Sequence, residues 1–138
     1  MWRIELMTWE EARAQAAPIR LAVFVQEQGV PPELEMDEMD AQCVHALAFE
    51  GERAVGTGRL LPDGHIGRMA VLKEFRGQGV GGAVLAKLMG AAKSRGDREV
   101  LLSAQVHAVP FYREYGFEVS GEVYEEAGIP HQDMRRSL

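Results

Sequence analysis

The chain has 138 residues, 46% of them hydrophobic and 26% charged, with a formal net charge of −6. That length suits one folded domain with a real core and leaves no room for a second of ordinary size. The acidic balance and the lack of a basic arm argue against nucleic acid, and no apolar run approaches the roughly 20 residues of a membrane helix.

Cys43 is the only cysteine, so no intrachain disulfide can form and a reducing compartment is expected. Its setting, "AQCVHALAF", reads as a buried, inert thiol. The N-terminal stretch "MWRIELMTWEEA" lacks the apolar segment and small-residue cleavage site of an export signal, and a cytoplasmic location is expected.

"WRIEL" alternates like a first strand. Thr8 and Glu11 form a capping-box pattern, which starts a short helix expected to run to about Ala16. Pro18 suits the first turn of a second helix, whose apolar face is Ile19, Leu21, Ala22, Phe24 and Val25 and whose end is Gly29. "VPPELEMDEMD" reads as a solvated acidic loop. Three strands follow, "CVHALAFE", "RAVGTGRLL" and "HIGRMAV", joined by turns at Gly51 and at "PDG", as an antiparallel meander. "VGGAVLAKLMGAAKSRG" is a helix that buries Val84, Leu85, Leu88, Met89 and Ala92 and closes at Gly96. "EVLLSAQV" is a buried strand, "VPFYREYG" a short helix between Pro110 and Gly116, and the tail suggests two strands around a loop. The order is βααβββαβαββ, an α/β fold with a mixed, mostly antiparallel sheet flanked by helices.

Gly77, Gly79, Gly81 and Gly82 crowd the start of the long helix. A nucleotide P-loop would need Gly-Lys-Ser/Thr, but Ala83 and Val84 follow the last glycine. A dinucleotide site would need an acid at the end of the next strand, whereas Asp97 and Glu99 precede it. The third reading begins at Arg76: a cation, a bend of unhindered N–H groups and the positive end of a helix make a cradle for a diphosphate.

Read as R-x-x-G-x-G, this stretch resembles the acetyl-CoA motif of the GNAT acetyltransferase superfamily. "FYREYGF" resembles the family's short helix, and "VFVQEQGVP", "EMD", "AQVHAVPFYREYGF" and "GIPH" together resemble its ElaA/YjcF-like branch. The resemblance covers nearly the whole chain. It implies one GNAT domain over residues 1–138 that moves an acetyl group from acetyl-CoA, with no metal, to a small-molecule amine or amino-acid-like acceptor. Met69, Ala70 and Val71 would grip the pantetheine arm by their backbone. Arg76, Gly77, Gln78, Gly79, Val80 and Gly81, reaching to Gly82, would hold the diphosphate. His107 stands where many members carry a cofactor-touching asparagine. Tyr112 would protonate the leaving thiolate, with Tyr115 as a second candidate.

An amine of pKa about 10.4 needs a base more than the thiolate needs an acid. His131 in "GIPH" is the first candidate, His107, Glu122 and Glu125 are others, and His45 reads as structural. The acidic loop could draw a cationic acceptor, while Arg59 and Arg68, if both face the cleft, would instead favour an amino acid. A non-catalytic acyl-CoA-binding sensor or interaction module on the same fold is the alternative function, and pairing through strand edges would allow a homodimer.

Overall fold

A computed structural model describes residues 2–138. Helix α1 (Trp9–Arg20) starts at the expected capping box: the Glu11 amide donates to the Thr8 hydroxyl at 3.3 Å and the Thr8 amide to the Glu11 carboxylate at 2.9 Å. The expected break near Ala16 is absent. Pro18 lies inside α1, which continues as a π-helical stretch over Leu21–Glu27 before Gly29 (φ +72°) ends it. Proline has no N–H to give and crowds the carbonyl four residues back. The coil widens just beyond it rather than stopping.

The acidic segment is also more ordered than expected. It holds a one-turn helix, α2 (Pro32–Glu35), and a 3₁₀ turn, Glu38–Gln42, whose Met39 amide donates to the Asp37 carboxylate at 3.1 Å. Pro32 sits in the first turn of α2, where a missing N–H costs nothing.

Strands β1 (Arg3–Met7), β2 (Val44–Glu50), β3 (Arg53–Leu60) and β4 (Ile66–Val71) form one antiparallel sheet in that order. Then come helix α3 (Val80–Ser94), β5 (Glu99–Gln105), helix α4 (Val109–Glu114), β6 (Glu118–Val119), β7 (Tyr124–Glu126) and β8 (Ile129–Ser137). In the second sheet β8 pairs antiparallel with β5, β6 and β7. The tail thus carries three strands rather than two. Ala127 (φ +53°) and Gly128 (φ +74°) supply a tight turn that folds β7 back on β8.

Both faces of the first sheet are covered. Leu47 and Phe49 of β2 pack with Ala12, Ala16, Ile19 and Val23 of the α1 side, while Ala46 and Ala48 pack with Val84, Leu85 and Leu88 of α3. The alternation is the period-2 signature of a strand buried on both faces. Helix α3 rides close on β3 because Gly56 and Gly58 have no side chains. A Cβ on Gly56 would stand 2.7 Å from Val80 Cγ1, and one on Gly58 3.0 Å from Leu88 Cδ1. The architecture is mixed α/β with antiparallel sheets flanked by helices.

Candidate active site

The two sheets touch edge to edge at a single parallel bridge, His65 to Leu101. Beyond it β4 and β5 part, and their facing edges are left without a ladder. A bulge sharpens the divergence. The β3–β4 register slips between Thr57 and Arg59, and Arg68 on β4 takes φ +50°, a left-handed conformation that costs a non-glycine residue about 1–2 kcal/mol. Past the bulge, the Leu72 amide bonds back to Val55 of β3. Strand alternation therefore turns the main-chain groups of Met69 and Val71 toward the opening, and the Ala70 side chain packs with the α1-side core.

The glycine turn lies at the end of this opening, at the head of a 15-residue helix. Gly77 (φ +75°) and Gly79 (φ +87°) are left-handed, and a Cβ on either would meet nothing within 4 Å. Among the described residues no acceptor takes the amides of residues 77 to 82, six consecutive N–H groups at a positive helix end. Trp2, just before β1, clips the turn: its indole donates to the Gln78 carbonyl at 3.0 Å and its ring stands edge-on to Phe75 at 6.1 Å.

The other glycines serve packing. Gly82 admits the Tyr115 hydroxyl, which a Cβ there would strike at 1.8 Å, and Gly81 lies 3.5 Å from Phe111 by the same measure. Val80 is buried in the core. The Arg76 guanidinium is turned away from the glycines. It gives a two-pronged bond to Glu27 at 2.9 and 2.7 Å, and its Nε donates to the Val71 carbonyl at 2.9 Å.

Tyr112 sits on α4 with its ring against Phe111 and Phe117. Its hydroxyl has no hydrogen-bond partner among the described residues, and burial pushes its pKa up to about 12. His107 is exposed in the 3₁₀ turn Val106–Ala108 between β5 and α4.

His131 stands in β8, not in a loop, and is 8% exposed. Its Nδ1 lies 2.7 Å from the Ile129 carbonyl, which can only accept, so Nδ1 carries a proton and the lone pair of the neutral ring is on Nε2. Tyr124 of β7 stacks on the ring at 6.1 Å and 25°. The register sets His131 opposite Gln105, whose amide donates to the Gln28 carboxamide at 2.8 Å at the end of the π-helical stretch. His131 therefore faces the α1 side of the second sheet, whereas Tyr112 packs with the α3-side core. The opening between β4 and β5 lies between them.

The family model described as Acetyltransferase (GNAT) domain matches residues 9–138. The uncharacterized N-acetyltransferase YjcF of Bacillus subtilis is 41% identical over 131 residues, covering 92% of this chain and 94% of YjcF. The crystal structure of Escherichia coli ElaA superposes with a TM-score of 0.87 at 31% identity, covering 99% of both chains. An acyl-CoA N-acyltransferase from Pseudomonas aeruginosa does so at 0.84 and 34%, covering 99% of this chain and 98% of that one. The chain belongs to the GNAT acetyltransferase family. Within it, the chain falls in the ElaA/YjcF-like branch.

This GNAT chain uses its other arginines differently from the sequence expectation. Arg59 and Arg68 are not free to meet a substrate carboxylate. Arg59, 5% exposed, donates to Asp37 at 2.7 and 2.8 Å and to Asp40 at 2.9 Å. Arg20, 1% exposed, binds Glu35 and donates to Asp40 at 2.8 and 3.1 Å. Arg68 reaches the Glu35 carbonyl at 3.1 Å and Asp37 at 3.4 Å. Glu35, Asp37 and Asp40 of the expected solvated loop are thus folded onto three cations; Glu35 and Asp40 are buried there, while Glu33, Asp37 and Glu38 stay exposed. Arg59 holds the Asp37 carboxyl down to about 2, against the cost of burial. His45 is structural: burial lowers its pKa, and Nε2 donates to the Asp40 carbonyl at 2.9 Å. Burial also raises the Cys43 thiol, which donates to the Met39 carbonyl at 3.1 Å.

Sequence reasoning passed over Glu27, Gln28, Gln105, Tyr124 and Glu126. The Gln28–Gln105 contact joins positions 77 residues apart and leaves no local trace. Glu126 and Tyr124 were legible once β7 was placed, since residues two apart on a strand share a face. Among the described residues no three metal-ligating side chains gather, and no helix is long and apolar enough to cross a membrane.

Proposed function

We propose that the chain, as one GNAT domain, transfers an acetyl group from acetyl-CoA to a primary amine by direct attack in a ternary complex. The observation that carries this reading is the run of six unpaired amides at residues 77–82 beside the β4–β5 opening. Donors so arranged suit a diphosphate, and the edge groups of Met69 and Val71 suit the amide-bearing pantetheine arm. The Val71 carbonyl first has to shed Arg76 Nε.

With the thioester in the opening, the amine approaches from the face of His131 and the sulfur departs toward the face of Tyr112. His131 Nε2 takes a proton from the ammonium, and the freed pair forms the N–C bond as the C–S bond breaks; the second proton that nitrogen sheds as the amide forms goes to the departing thiolate, and His131 returns its own to water. A pKa near 12 keeps the Tyr112 phenol protonated at every working pH. A thiol near about 8.5 is the stronger acid in water, so Tyr112 acts first as a hydrogen-bond donor to the developing sulfur charge. The apolar surroundings that raise the phenol raise the thiol too, which brings the transfer closer to balance.

Tyr112→Phe keeps the ring packing and removes the proton. Its kcat should fall about 10²-fold, a size usual for a general acid, while calorimetry shows acetyl-CoA binding within about twofold of wild type. Wild-type protein that fails to bind acetyl-CoA at millimolar concentration overturns the reading.

A further inference from the structure

The β7–β8 hairpin brings an imidazole nitrogen and a carboxylate together at a separation too long for a hydrogen bond between them. His131 Nε2 has no hydrogen-bond partner among the described residues, and a Glu126 carboxylate oxygen lies 3.6 Å away. With Nδ1–H given to the Ile129 carbonyl, the neutral ring presents its Nε2 lone pair to the carboxylate, so that both groups are acceptors. What satisfies two facing acceptors is a group with several N–H donors and a positive charge. We propose that this pair is the acceptor subsite and that its ligand is a small cationic amine without a neighbouring carboxylate, a diamine or polyamine. The inference rests on the acetyl-transfer reading and adds the substrate class to it.

Three further observations favour that class. The subsite is rigid where it must orient the amine: Tyr124 stacks on His131, and its hydroxyl bonds Ser103 and donates to Asp133 at 2.7 Å, which ties β7 across β8 to β5. It is open to solvent where a ligand must enter, since the Glu126 side chain is 62% exposed. Its charges are negative: Glu126 and Asp133 share the face of His131. Nearby Arg135 is bound to Glu99 at 2.6 Å. The arginines that would welcome a carboxylate, Arg59 and Arg68, are closed in their own cluster. A first ammonium would sit between Nε2 and Glu126 and lose its proton to Nε2. The imidazolium so formed is offset by Glu126, and the neutral amine goes on to attack. A second cationic end is attracted by the same surface, and a carboxylate there is repelled.

The test compares 1,4-diaminobutane with 4-aminobutanoate, which have four carbons each and differ in ending on a CH2–NH3+ group or on a carboxylate, in an assay of CoA release from acetyl-CoA. The diamine should be preferred about tenfold or more in kcat/KM. Glu126→Gln should raise the KM for the diamine about tenfold with kcat within about threefold, and acetyl-CoA binding should stay unchanged by calorimetry. Glu52→Gln, the same charge change on the exposed β2–β3 turn, should leave all three alone. Independently of turnover, 1,4-diaminobutane added to the CoA complex should shift the His131 Nε2 nitrogen resonance in wild type and not in Glu126→Gln. Equal or better use of 4-aminobutanoate, or an unmoved KM in Glu126→Gln, overturns the substrate class while acetyl transfer stands. Acetyl-CoA binding with no turnover of any amine overturns both.

Discussion

Two sets of arginine–carboxylate contacts flank the opening, and they differ chiefly in their access to water. Arg20, Arg59, Glu35 and Asp40 are each at most 5% exposed, and every charge there has at least one opposite partner within hydrogen-bond reach. Arg76 and Glu27 make an equally well-formed pair, yet their side chains are 42% and 35% exposed. Breaking a buried pair leaves an uncompensated charge out of water and costs several kcal/mol. Breaking an exposed pair costs about 0–1 kcal/mol, because water and salt take over. Good geometry alone therefore says little about role. The first set is scaffold, which fixes the acidic segment against the β4 bulge, and the second is exchangeable.

The largest expected effect follows from the buried set. Arg59→Gln leaves Asp40 with Arg20 alone and Asp37 with a 3.4 Å contact to Arg68, and should lower stability by about 3–5 kcal/mol in urea unfolding. A loss under about 1 kcal/mol would erase the distinction between the two sets. The pH dependence gives a second handle. The Arg59 hydrogen bonds hold Asp37 at about 2, below the usual value near 3.9. Its stabilising share is then complete above about pH 4 and is lost as pH falls toward 2. In Arg59→Gln that part of the acid slope should flatten, since less is left to lose.

How far the sequence reveals these two sets follows from how local their signals are. The Thr8 cap, the meander, the glycine turn and α3 are written in the pattern of neighbouring residues along the chain, and the structure keeps them. Pro18 misleads because propensity places proline at helix starts, while packing of Ala12, Ala16, Ile19 and Val23 holds one continuous coil past it. The acidic segment misleads more deeply. Five acids in a row of nine look solvated until Arg20, Arg59 and Arg68 arrive from elements up to 34 residues away. The same distance hides the partner of Arg76, since Glu27 lies 49 residues before it. Arginine is legible as a cation in the sequence, whereas its partner depends on the tertiary fold.

A middle-sized effect tests the turn that the exposed pair adjoins. Gly79 is left-handed with open space beside it, so Gly79→Ala costs backbone strain of about 1–2 kcal/mol and causes no clash. Its methyl group projects where the unpaired amides converge, and acetyl-CoA affinity should drop about tenfold, a larger share than stability alone would give. Equal affinity by calorimetry would separate the diphosphate from the turn.

The smallest effect is the sharpest test of the comparison. Glu27→Gln keeps a hydrogen-bond acceptor for Arg76 and removes the charge, so stability should move by less than about 1 kcal/mol. If the pair is exchangeable, Glu27 competes with the diphosphate for the guanidinium. Removing that competitor should tighten acetyl-CoA binding about two- to fivefold at low salt, and the gain should fade as ionic strength rises and the Debye length shortens to about 8 Å. Arg76→Glu, which adds repulsion at the same place, should weaken binding with the opposite salt trend. Weaker binding in Glu27→Gln would mean that the pair anchors the π-helical stretch to the exit of β4, as rigidly as Arg59 anchors the acidic segment. The line between scaffold and exchangeable arginine would then have to be drawn by something other than water.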